Sequence, residues 1–185
     1  MRVMRKFLVA SLAAFALFLT ALALSALRLP SRQIDATPAP QRSVDAVEVA
    51  ERLAAALRIP TISHSSDPAD LEAEAFATLR GWIETAYPKL HHTLAREIVA
   101  GDSLLYTWPG SDPKLEPILL AAHLDVVPAE NLERWSHPPF EGRIDGGFVW
   151  GRGAIDDKGA MIGILEAVER LIGEDAVRRQ DYSGA

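Results

Sequence analysis

His123 and Asp125 stand two positions apart at the end of an apolar run, Ile118-Leu119-Leu120-Ala121-Ala122. Residues two apart on a strand share a face. Both side chains would then reach one crevice at a strand's carboxyl end, where open α/β sheets place their ligands. In that setting His123 suits a metal ligand. Asp125 suits the carboxylate that accepts the other ring N–H and orients the imidazole. The plain alternative is a histidine bonded to nearby backbone and an aspartate capping a turn. A second cluster follows in Gly151-Arg152-Gly153-Ala154-Ile155-Asp156-Asp157-Lys158-Gly159. Its glycines would let backbone N–H groups approach an anion. The spacing is not that of a phosphate loop, Lys158 precedes its glycine, and two central acids repel phosphate. A carboxylate aimed at a cation fits better, with Asp157 as a helix cap the structural alternative. Between the clusters, Trp135-Ser136-His137-Pro138-Pro139-Phe140-Glu141-Gly142 forms a stiff apolar wall or covers a core edge.

These groups need elements to hold them. A helix is expected from Ser43 to about Arg58, where apolar residues recur at helical spacing. A second is expected from Ala69 to Ala86, capped by Asp67 or Asp70 and closed before Pro88. Leu94–Ala100 and Ser103–Trp108 read as a strand pair turned at Gly101-Asp102. Ile118–Ala122 reads as a strand covered on both faces. Arg143–Asp145 and Phe148–Trp150 read as a hairpin around Gly146-Gly147. Lys158 to Leu171 returns to helical period. This is an α/β pattern.

The first residues are of a different kind. Arg2, Arg5 and Lys6 precede an uncharged run from Phe7 to Leu27. At 1.5 Å per residue that run matches a bilayer core of about 30 Å. It is longer than the apolar stretch of about 7–15 residues in an ordinary signal peptide. Residues 1–29 are therefore read as a transmembrane signal anchor, with a cleaved signal peptide as the alternative. Residues 30–43, rich in proline, are read as a linker, and 44–185 as the exported globular part. The basic residues before the run favour a cytoplasmic amino end.

Composition narrows the function further. The chain has 185 residues, 19 Lys plus Arg against 25 Asp plus Glu, and a net charge of −6. That balance argues against a nucleic-acid partner, since phosphate neutralisation needs a basic surplus. There is no cysteine, so disulfides, thiolate metal sites and cysteine nucleophiles are excluded.

Taken together, His123-Leu124-Asp125-Val126-Val127-Pro128, the Trp135–Gly142 segment and Gly151–Gly159 resemble a known family. It is that of the co-catalytic zinc peptidases and deacylases, which includes carboxypeptidase S, aminoacylase and succinyl-diaminopimelate desuccinylase. The likeness is nearest the carboxypeptidase S side and runs from Val44 to Leu171. It implies a partial zinc-peptidase catalytic domain with a mostly parallel sheet flanked by helices. It implies two zinc ions per complete site, His123 as ligand of one, Asp156 as the bridging carboxylate, and Asp125 as the orienting acid. It implies a cis peptide between Asp156 and Asp157. Its substrates are peptides or N-acyl amino acids, and it leaves a homodimer open for the full-length protein.

The chain also departs from that family. The family's adjacent glutamate pair, further carboxylate and late histidine have no counterpart after Asp156. The five histidines all precede it. Glu166 and Glu169 read as an exposed pair on one helix face, and His91 and His92 as solvated. The expectation is an amino-terminal fragment that binds zinc weakly and turns over nothing measurable. The rivals are a non-catalytic, membrane-anchored module and a phosphate-binding protein.

Overall fold

The computed structural model describes residues 2–30, 43–65, 67 and 72–173. The interior of the proline-rich linker, Asp70, and residues 174–185 lie outside the described residues. The chain divides into two compact units, Met1–Arg42 and Ser43–Ala185.

Among the described residues the first unit contains one helix, α1, Arg2–Leu27. Its segment Met4–Leu27 is long and apolar enough to cross a membrane, and none of it is buried. Thr20 Oγ1 donates to the Ala16 carbonyl at 2.8 Å. The helix thus satisfies this hydroxyl internally, as an apolar solvent requires.

Among the described residues the second unit is built on four α-helices: α2 Ala46–Leu57, α3 Ala73–Ala86, α4 Pro88–Thr93 and α5 Lys158–Gly173. Asp45, rather than Ser43, starts α2: its carboxylate accepts the N–H groups of Val47 and Glu48 at 3.1 Å each. Two of the orphan donors of the first turn are thereby satisfied. The second helix is described from Ala73, without a side-chain cap; residues 69–71 of its expected span lie outside the described residues. The core packs Ala56 of α2, Leu79 and Ile83 of α3, Leu90 of α4, and Met161, Ile162 and Leu165 of α5 around Tyr87. Half-buried Val49, Leu53 and Val168 extend the same apolar stripes.

Two antiparallel ribbons complete the unit. Strands β1 (Ala95–Val99) and β2 (Ser103–Thr107) pair with Ala95 opposite Thr107 and Val99 opposite Ser103. Ala100 and Gly101 both take positive φ in the turn between them, matching the right-handed twist of the strands. Strands β3 (Arg143–Asp145) and β4 (Phe148–Trp150) pair around Gly146 and Gly147, also at positive φ.

The mostly parallel sheet is not seen among the described residues. Ile118–Ala122 forms no strand, and Ile118, Leu119 and Leu120 are exposed. The only parallel pairing among these residues is the single bridge between Ile62 and Val126. The run has strand composition but no neighbouring strands with which to bond its backbone, and composition alone does not make a ladder.

A second correction concerns Glu166 and Glu169. Both are buried, at 5% and 8% exposure. Glu166 accepts from Arg52 Nη1 at 2.6 Å and from the Tyr87 hydroxyl at 3.2 Å. Glu169 accepts the N–H groups of Lys89 and Leu90 at 3.0 and 2.7 Å. A carboxylate is tolerated inside when its charge is paired and its lone pairs are filled. These two acids tie α5 to α2 and to the start of α4. His91 is likewise not solvated: its Nε2 lies 3.0 Å from the Tyr106 hydroxyl, and the rings meet edge to face.

Candidate metal centre

The chain around His123 is fixed from its carboxyl side. Thr61, fully buried, donates its hydroxyl to the Leu124 carbonyl at 2.6 Å. Val126 N–H donates to the Thr61 carbonyl at 2.8 Å, and Ser63 N–H to the Val126 carbonyl at 3.0 Å. Residues 61–63 therefore clamp 124–126. Val126, at 2% exposure, is a buried peg immediately after Asp125.

The glycine-rich loop is fixed at both ends. Gly153 takes φ +86°, and a Cβ there would lie 2.5 Å from Val126 Cγ1. Only glycine lets the loop close on the peg. At the other end Lys158 is fully buried. Its Nζ donates to the carbonyls of Ala56 at 2.9 Å and Ile59 at 2.5 Å. These lie at the carboxyl end of α2, where free carbonyls favour a cation. Burial pulls the Lys158 ammonium down to about 8. The peptide between Asp156 and Asp157 is cis.

With both segments held, the polar groups meet. His123 Nε2 lies 2.9 Å from Asp156 Oδ1. His123 Nδ1 lies 3.0 Å from the Asp125 carbonyl and 3.2 Å from Asp125 Oδ1. The His123 backbone N–H donates to Asp157 Oδ2 at 3.2 Å. The hydrogen bond to Asp156 first, and contacts with Asp125 second, hold the His123 imidazole above its ordinary range against partial burial. The imidazole is half exposed and the Asp156 carboxylate largely so, leaving the pair open to solvent.

The structure therefore brings His123, Asp125 and Asp156 together. Nitrogen and carboxylate oxygen facing each other within 3 Å are donors of the kind zinc takes. Among the described residues no group of three or more His, Cys, Asp or Glu is arranged to hold a metal, so the donor set is two where about four are needed. Thr61, Asp157 and Lys158 were not singled out as positioning residues from sequence. Their partners lie in segments distant along the chain, which no local pattern reports.

Residues 119–180 match the sequence profile of peptidase family M20/M25/M40. The matched stretch contains His123, Asp125 and Asp156. That stretch is similar to the family. A probable carboxypeptidase S-like 2 of Dictyostelium discoideum is 46% identical over 124 residues, covering 66% of this chain and 24% of that protein. Carboxypeptidase S of Saccharomyces cerevisiae is 43% identical over 129 residues, covering 65% of this chain and 22% of that protein. The N-fatty-acyl-amino acid synthase/hydrolase PM20D1 of Bos taurus is 39% identical over 132 residues, covering 70% and 26%. The chain thus spans about a quarter of the length of these curated relatives. Among solved structures, the M20 family metallo-carboxypeptidase Sso-CP2 of Sulfolobus solfataricus superposes with a TM-score of 0.52. It is 23% identical, and the match covers 71% of this chain and 28% of that one. That likeness shows the α/β fold of the M20 peptidases.

Proposed function

We propose that this chain carries part of the catalytic centre of a zinc-dependent amide-bond hydrolase, of the carboxypeptidase or N-acyl-amino-acid deacylase type. The observation that carries the reading is the 2.9 Å approach of His123 Nε2 to Asp156 Oδ1 within an M20/M25/M40 segment. His123 and Asp156 would hold zinc, two ions in a complete site. A bound zinc acidifies a water and polarises a carbonyl oxygen. Asp125 sets the imidazole's tautomer and tilt through Nδ1. Asp157 fixes the backbone on which the imidazole stands. Glu166 and Glu169 are committed to Arg52, Tyr87 and the start of α4, so neither serves as general base.

The names of the relatives support peptides or N-acyl amino acids as substrates. With α1 as an anchor or signal and its basic residues on the cytoplasmic side, the second unit is exported. With two donors among the described residues, the expectation is a chain that holds zinc weakly and shows no measurable turnover by itself. The same observation favours one rival, an anchored module without catalysis. Zinc content and hydrolysis of dipeptides and N-acyl amino acids by the purified 185-residue chain test both. Weak zinc binding that depends on His123 supports the proposal. Absence of zinc binding supports the rival, and stoichiometric zinc with turnover shows the centre to be complete.

A further inference from the structure

A trough of about 900 Å³ runs beside the His123–Asp156 pair, and Asp156 is part of its lining. Its walls include Trp135, His137, Phe148, Trp150 and Arg152. The aromatic rings support one another: Phe148 and Trp150 lie 5.9 Å apart, His137 and Trp150 5.2 Å, all edge-on. Trp135 is pinned by its ring N–H, which donates to the Glu130 carbonyl at 3.1 Å. Phe148 is nonetheless 66% exposed and Ile155 92%. This volume and apolar lining suit a ligand of amino-acid to dipeptide size.

Arg134 and Arg152 both line the trough, and neither has a carboxylate partner among the described residues, unlike Arg52, Arg80, Arg96 and Arg170. The Arg152 guanidinium instead lies 5.1 Å over the Trp135 ring, and its Nε is buried without a hydrogen-bond partner. Stacking occupies the face of a guanidinium and leaves its in-plane N–H groups for a planar anion. A carboxylate fits that fork. A phosphate dianion would meet the charges of Glu130 and Asp156, which also line the trough.

The geometry points to Arg152 as the residue that takes a free carboxylate of an aromatic or apolar ligand, with Arg134 adding to the field. Phe148 and Trp150 receive the ligand's apolar group. The assignment rests on the hydrolase reading for its biological sense, but the binding itself needs no zinc.

The test is calorimetric titration of the full chain in nanodiscs without metal, using N-acetyl-L-phenylalanine and its neutral amide as probes. The acid should bind at least tenfold more tightly than the amide. Arg152→Met should erase that preference, Arg152→Lys should restore part of it, and Arg134→Gln should weaken the acid two- to fivefold. His123→Ala should leave the preference intact, so that loss of zinc binding and loss of carboxylate binding are scored separately. Equal binding of acid and amide, or no binding of either, overturns the assignment. So does a folded Arg152→Met that keeps the full preference. If Arg152→Met does not fold, the acid-to-amide ratio of the unmodified chain and of Arg134→Gln decides.

Discussion

Lys158 Nζ reaches the Ala56 carbonyl at 2.9 Å, across 102 residues of chain. The same ammonium meets Ile59. The side chain that opens α5 thus closes the end of α2, and Asp156, two residues earlier, is carried to His123 by that tie.

Replacing Lys158 by Met keeps the stem's packing and removes both donors. The carbonyls keep the backbone N–H groups of Ile59 and Thr61 but lose a charged donor, and hydrogen bonds to a charged group are worth about 1.5–3 kcal/mol. The expected outcome is that loss in urea unfolding, with zinc affinity falling as well because the loop is released. Unchanged stability and unchanged zinc binding would show the tie to be incidental.

Gly153→Ala should destabilise by about 2 kcal/mol, because a Cβ at positive φ meets the Val126 side chain. Trimming the peg with Val126→Ala in the same chain should recover part of the loss, since the clash is then relieved while the φ strain remains. Additive losses in the double variant would contradict the close approach.

Tyr87 gives a pH dependence. Its phenol is raised above the ordinary value of 10.0, by burial first and by the Glu166 charge next. Below pH 10 both folded and unfolded chains keep the proton, so the contribution is complete. Above it the unfolded chain releases the proton and the folded chain does not, so stability falls as pH rises. Tyr87→Phe loses the bond to Glu166, about 1 kcal/mol near neutrality. Its deficit against the unmodified chain should shrink between pH 10 and 11.5 in matched denaturation series. A deficit that grows over that range would reverse the sign assigned here.

Glu169→Ala strips two backbone N–H groups at the start of α4 of their acceptor. A loss of about 1.5–3 kcal/mol follows from hydrogen bonds to a charged group. Hydrogen exchange at Lys89 and Leu90 should accelerate well before the rest of the core. Exchange there at the unmodified rate would mean that water replaces the carboxylate without loss.

The elements whose signals are local were legible in the sequence. Gly146-Gly147 between two short apolar-rich runs specified the β3–β4 hairpin, and Gly101 the β1–β2 turn, because positive φ is written in residue type. The helix from Lys158 followed from its 3.6 period. Ile118–Ala122 failed for the opposite reason: a strand needs a neighbour, and no property of five apolar residues supplies one. Glu166 and Glu169 were misread because charge suggests solvent, whereas Arg52, Tyr87 and the α4 backbone lie far along the chain and override that prior. The convergence of His123 on Asp156 was legible only through the resemblance. The clamp by Thr61 and the tie by Lys158 that produce it were not.

The central claim is that the 123 imidazole and the 156 carboxylate share one cation. Long-range proton–nitrogen NMR of the histidine rings during zinc titration tests it most directly, with His123→Gln assigning the signal. His123 Nε2 should move to a metal-bound shift, and Asp156→Asn should weaken that response at least tenfold. Zinc that leaves the His123 ring unmoved while it binds elsewhere on the chain would contradict the account.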